Sequence, residues 1–144
     1  MEDSGKEELD LSGEEGGILD ATNEAVKRIL YVDDEEDNGV LVSAWLSRMS
    51  GHNVTTLGSG EEAFSVVSND NSWDLLITDN NMGAGRMTGE QLAVHARRIG
   101  VRKVVIYTLC PEGVKEEIDG VEIWSKNGIN DDVFAGKVRR ILGG

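Results

Sequence analysis

The sequence predicts a doubly wound α/β domain, a five-stranded parallel sheet with helices on both faces. Two observations carry that prediction. Short apolar runs recur at residues 29–32, 75–78 and 104–108, which suits strands buried on both faces. Between them lie stretches of helical period opened by capping signals, so each strand is followed by a crossover that returns it parallel to the last. A length of 144 residues holds one such domain with a real core, plus a tail.

Residues 1–26 form the tail. Nine acids face a single lysine, Lys6, and contribute more than half of the formal net charge of −13. Without aromatics or a clear apolar period, this stretch cannot bury enough surface to offset the entropy of ordering, and it reads as disordered and solvated. The domain is expected over residues 27–143. Its acidity argues against nucleic acid or anionic membrane as a partner and favours basic partners or a bound cation. The single cysteine, Cys110, allows no internal disulfide and no zinc-ligand spacing, so a reducing, cytoplasmic setting is the default. No apolar run approaches the ~20 residues needed to span a bilayer.

The first strand, 29–32, ends in Asp33-Asp34-Glu35-Glu36-Asp37. The following helix is expected to turn Val40, Leu41, Ala44, Trp45 and Met49 inward and to close at Gly51. Residues 53–57 alternate as a second strand. Ser59 and Glu62 form a capping-box pattern ahead of Ala63, Phe64, Val66 and Val67, and Thr88 with Gln91 repeats it ahead of Leu92, Ala93, Ala96 and Ile99. Trp45 and Phe64 read as core, and His52 and His95 as surface. Between these helices the third strand stops at Asp79. The fourth strand ends at Thr108, and the fifth, 121–124, lies just before Lys126. Only a shortened helix fits between them. The last helix, 130–142, has Val133, Phe134, Val138 and Ile141 facing in.

Ligand chemistry in such sheets collects at the carboxyl ends of the strands. Asp33, Asp34, Asp79, Thr108 and Lys126 all fall there. Three carboxylates meeting at one edge cannot all stay ionised and unpaired without a large penalty. A divalent cation would remove it, and oxygen-only ligation suits Mg²⁺ or Mn²⁺. With such a cation, Lys126 and the Thr108 hydroxyl, the edge suits phosphoryl transfer to the Asp79 carboxylate. A calcium loop beginning at Asp34 is excluded, because its twelfth position is Trp45 rather than glutamate.

Four motifs, each at a predicted strand end, resemble the receiver domain of two-component response regulators: Ile29 to Glu35, Asp74 to Met82, Val104 to Thr108, and Trp124-Ser125-Lys126. The resemblance covers residues 27–143. It implies the flavodoxin-like receiver fold, Asp79 as phosphoacceptor, Thr108 as switch hydroxyl and Lys126 as the phosphate contact. It also implies Asp33, Asp34, Asp79 and the Asn81 backbone carbonyl as metal ligands. The phosphate would come from a histidine kinase or a histidine phosphotransfer protein, for delivery of a signal to a downstream protein. Such a domain catalyses only its own phosphorylation and dephosphorylation.

The sequence departs from the family at several places. Gly83 and Asn127 stand where proline is usual, and the Gly83 to Thr88 loop is longer and carries Arg86 toward the site. Leu109 replaces a small residue, and Ile123 replaces the switch aromatic. These changes support an alternative, a pseudo-receiver interaction module that signals without phosphorylation. A phosphohydrolase using Asp79 as nucleophile is a third reading, weakened by Asn81 where such enzymes place a second acid.

Overall fold

Every residue of the strand Leu75–Thr78 (β3) is buried, and the sheet is built outward from it. The computed structural model describes residues 26–143, apart from the side chains of Met49 and Ser50; the expected tail, except for Val26, lies outside these residues. Five parallel strands stand in the order β2-β1-β3-β4-β5, with β1 Arg28–Val32, β2 Asn53–Leu57, β4 Val104–Thr108 and β5 Val121–Ser125. The helices are α1 Glu36–Ser50, α2 Gly60–Asn69, α3 Gly89–Ile99 and α4 Asp131–Gly143.

The period-2 alternation of the central strands divides the core. Leu30, Val32, Leu76, Val104 and Ile106 pack against α2 and α3. Ile29, Tyr31, Leu75, Ile77, Val105 and Tyr107 pack against α1 and α4, where Phe134 gathers Trp45, Tyr107 and Trp124 around its ring. Burial on both faces explains why these strands read as unbroken apolar runs.

Local signals mostly act where expected. Gly51 ends α1 in the left-handed region, with φ of 70°. Thr88 and Gln91 make both bonds of a capping box at α3. At α2 only half forms: Ser59 Oγ accepts from the Glu62 N–H, while the Glu62 carboxylate takes the Gly58 N–H instead.

Three inward-facing expectations are corrected. In α1, Val42 and Leu46 are buried, whereas Val40, Leu41 and Ala44 are exposed. The helix is rolled so that Gly39, Val42 and Leu46 are the buried positions, with Gly39 against Thr56 of β2. That turn carries residues 40 and 41 toward solvent; Met49 lies outside the described side chains. Phe64 is 38% exposed and stacks on His95 across the α2–α3 surface at 3.7 Å. Val133 is also exposed, because it lies about 100° around α4 from Phe134.

The expected short helix between β4 and β5 reduces to a 3₁₀ turn, Pro111–Gly113. Residues 114–118 then run without regular structure. Val114 and Ile118 pack on the α2–α3 core, and the Glu90 carboxylate accepts the N–H groups of Lys115 and Glu116 at 3.2 and 2.8 Å. A side chain of α3 thus satisfies backbone donors that a helix would have satisfied internally.

Candidate functional site

The register of the sheet assembles the site. Val32 pairs with Thr78, and the Asp79 N–H donates to the Val32 carbonyl at 2.8 Å, so Asp33 and Asp79 leave adjacent strands side by side. On the other flank the Lys126 N–H donates to the Thr108 carbonyl, which places Lys126 just beyond β5. The Asp79 loop is tied to α3: the Gly89 N–H donates to the Asn80 carbonyl, and the Glu90 N–H to the Asn80 side-chain oxygen, both at 2.8 Å. Gly89 lies so close to the Asp79 carbonyl that a Cβ would overlap it.

One carboxylate oxygen from each of Asp33, Asp34 and Asp79 lies within 4.8 Å of the others. Asp34 is exposed, Asp79 is half-buried and Asp33 is buried. Lys126 Nζ sits 2.9 Å from Asp33 Oδ2 and 3.6 Å from Asp79 Oδ2. Among the described residues, Lys126 is thus paired with two of these three acids. Burial raises Asp79 to about 6; Lys126 opposes the shift, while Asp33 and Asp34 add to it. An all-oxygen set with excess negative charge fits a hard divalent cation, whose charge would offset that strain.

Asp33 is held by more groups than its position in the sequence suggested. Its Oδ2 accepts from Tyr31 O–H (2.9 Å), Asn38 Nδ2 (3.1 Å) and Lys126, and its Oδ1 from the Glu35 N–H at 3.0 Å. Tyr31 and Asn38 were not among the expected site residues. A signal existed for Tyr31, since residues two apart on a strand share a face. Its hydroxyl is pushed well above the usual phenol range by burial and by Asp33.

Asp34 and Asp79 open on a cleft of about 690 Å³ whose lining also includes Asn81, Thr108 and Lys126. Thr108 is buried, and its hydroxyl oxygen accepts the Cys110 N–H at 3.2 Å. The expected residues are thus brought together, with one correction. Arg86 does not reach the site, because Glu61 holds its guanidinium at 3.2 Å and also accepts the Met87 N–H. Leu109 stands 65% exposed at the cleft, and Asn127 Nδ2 donates to its carbonyl at 3.2 Å. Ile123 is exposed on β5.

The strand order and the acid-lysine edge define a receiver-type α/β domain. No sequence-family model and no curated protein sequence matches the chain. Among solved structures, it is similar to the receiver domain of the hybrid histidine kinase CckA at 32% identity, with TM-score 0.63, covering 80% of this chain and 98% of that one. It is also similar to a response regulator receiver protein from Sinorhizobium medicae WSM419 (22% identity, TM-score 0.72, 83% and 96% covered). A receiver domain protein from Clostridium thermocellum matches at 21% identity and TM-score 0.69, with 82% and 95% covered. The chain belongs to the receiver-domain family of two-component response regulators. Its general role is that of a two-component receiver.

Proposed function

We propose that residues 27–143 are the phosphoaccepting unit and that Asp79 is the acceptor. One observation carries this reading: a half-buried carboxylate with a raised proton affinity lies 3.6 Å from a lysine and beside two further acids. An Asp79 oxygen attacks the phosphorus of a phosphohistidine. A P–O bond forms, the P–N bond breaks, and the imidazole nitrogen keeps the electron pair and takes a proton from solvent. Lys126 neutralises charge on the transferring phosphoryl oxygens, and the Thr108 hydroxyl donates to one of them. Asp33, Asp34, Asp79 and the Asn81 carbonyl would hold Mg²⁺ or Mn²⁺, which when bound offsets the negative charge of acids and phosphoryl group.

The donor is a histidine kinase or a histidine phosphotransfer protein; the likeness to a receiver from a hybrid histidine kinase supports this. Movement of Thr108 toward the phosphoryl group then biases the face seen by a downstream protein. The domain modifies only itself, without turnover on an external substrate. A cytoplasmic setting fits both the lone exposed thiol and the described residues, where no helix is long and apolar enough to cross a membrane.

The test is incubation with Mg²⁺ and acetyl phosphate, followed by intact-mass measurement. A gain of one phosphoryl group, lost in Asp79→Asn, is expected. No gain, or a gain that persists in Asp79→Asn, refutes it. The 3₁₀ turn that stands in place of a helix between β4 and β5, with the exposed Ile123, favours a second reading, an interaction module that works without phosphate. Partner affinity that is unchanged by phosphorylation would select it.

A further inference from the structure

Asp33 Oδ2 receives three side-chain donors, and Oδ1 receives one backbone donor. An ionised carboxylate offers about four lone-pair sites over its two oxygens, so Oδ2 is crowded. Donors that share one acceptor weaken one another, because each withdraws charge that the others would use. The Lys126 ammonium is one of the three. It lies nearer to Asp33 than to Asp79, yet phosphoryl transfer to Asp79 requires it on the Asp79 side.

If Lys126 were the only donor to Oδ2, its departure would strand a buried anion without a partner on that oxygen, a large penalty. Tyr31 and Asn38 prevent this. The Tyr31 ring is packed in the α1–α4 core, which fixes its hydroxyl against Asp33, while Asn38 reaches the same atom from the first turn of α1. Neither bond involves Lys126, so Asp33 Oδ2 has two donors that do not depend on it.

We propose that Tyr31, assisted by Asn38, is a positioning residue that withdraws charge from Asp33 and so frees Lys126 for the phosphoryl group on Asp79. The inference rests on the phosphoacceptor reading and goes beyond it. One cause gives two consequences of opposite sign. With the tyrosine hydroxyl in place, Asp33 releases Lys126 readily; the same loss of charge makes Asp33 a weaker partner for a divalent cation.

Tyr31→Phe separates these effects, because it deletes the hydroxyl and keeps the ring that packs the core. Two constants are measured on the full chain: the dissociation constant for Mg²⁺ alone, from tryptophan fluorescence, and the modification rate by acetyl phosphate at saturating Mg²⁺, from intact mass. In that reaction an Asp79 oxygen forms the new P–O bond, the P–O bond to the acetyl group breaks, and acetate leaves with the electron pair. The expected result is Mg²⁺ binding tightened about threefold and a modification rate lowered about fivefold, as for a charge-assisted hydrogen bond only part of which differs between states. Asn38→Ala moves both constants the same way by smaller factors, since its bond is longer, and it carries the test if Tyr31→Phe does not fold.

Unchanged constants in both variants overturn the inference. So do constants that both worsen in step with stability, which is what a merely structural role would give. A wild-type chain that binds Mg²⁺ but takes no phosphate overturns the phosphoacceptor reading, and this inference with it. A wild type that is modified, alongside variants that match it, overturns this inference alone.

Discussion

Replacing Asp79 by asparagine should stabilise the metal-free domain, although it removes the residue on which the proposed chemistry depends. Asp79 is raised from 3.8 to about 6, with burial the largest cause and the neighbouring acids adding to it. An ionised group displaced that far opposes folding by roughly 3 kcal/mol. That shift already includes the opposing attraction to Lys126, and the carboxylate keeps contact with solvent in the cleft, so screening reduces the expected gain to about 1 to 2 kcal/mol for Asp79→Asn near pH 7. The sign follows from the direction of the shift. The folded state holds the proton more tightly than the unfolded chain does, so the penalty is full above about pH 6 and vanishes below about pH 4. The wild type should therefore close the gap on the variant as the solution is acidified through that window. Urea unfolding in the presence of a chelator, followed by far-ultraviolet circular dichroism at several pH values, measures both the gap and its slope. A variant no more stable than wild type near pH 7, or a gap that does not narrow on acidification, would refute the view that burial and the neighbouring acids strain the Asp79 carboxylate.

Lys126→Met removes the ammonium that pairs with Asp33 and Asp79 and should destabilise the metal-free fold by about 3 kcal/mol, with millimolar Mg²⁺ restoring part of the loss in thermal unfolding. Glu122 is held down at about 2, first by Arg140 and then by the Trp124 indole N–H. Its depressed value stabilises the fold above about pH 4.5 and that contribution disappears as pH falls toward 2. Because the pair is exposed, Glu122→Gln should lose only about 0.5 to 1 kcal/mol near pH 7, and stability curves should converge on acidification. Glu90→Ala deletes the acceptor for the Lys115 and Glu116 N–H groups, so hydrogen exchange at those two amides should accelerate at least tenfold while β3 amides keep their protection.

The strand ends were legible because their cause is local. A strand covered on both faces must be apolar throughout, so the first polar residue after each run marks where the chain leaves the sheet. Asp33 and Asp79 could be placed by that rule, Thr108 as the last residue of its run, and Lys126 by its position just beyond the fifth strand. Glycine, capping and turn signals are equally local, and Gly51 and Thr88 act as read. The phase of α1 was not legible. Its apolar residues support two overlapping stripes, and the one that is buried, Val42 and Leu46, is set by packing against residues that the sequence separates.

By itself, then, the sequence determined the strand order along the chain, the four α-helices, the parallel sheet and which five residues lie at its edge, since each depends on patterns a few residues long. Only the tertiary structure decided how those residues share charge. Tyr31 and Asn38 converge with Lys126 on one oxygen of Asp33, and Arg86 is diverted to Glu61, because hydrogen-bond partners are chosen by distances across strands and loops, which no spacing along the chain encodes.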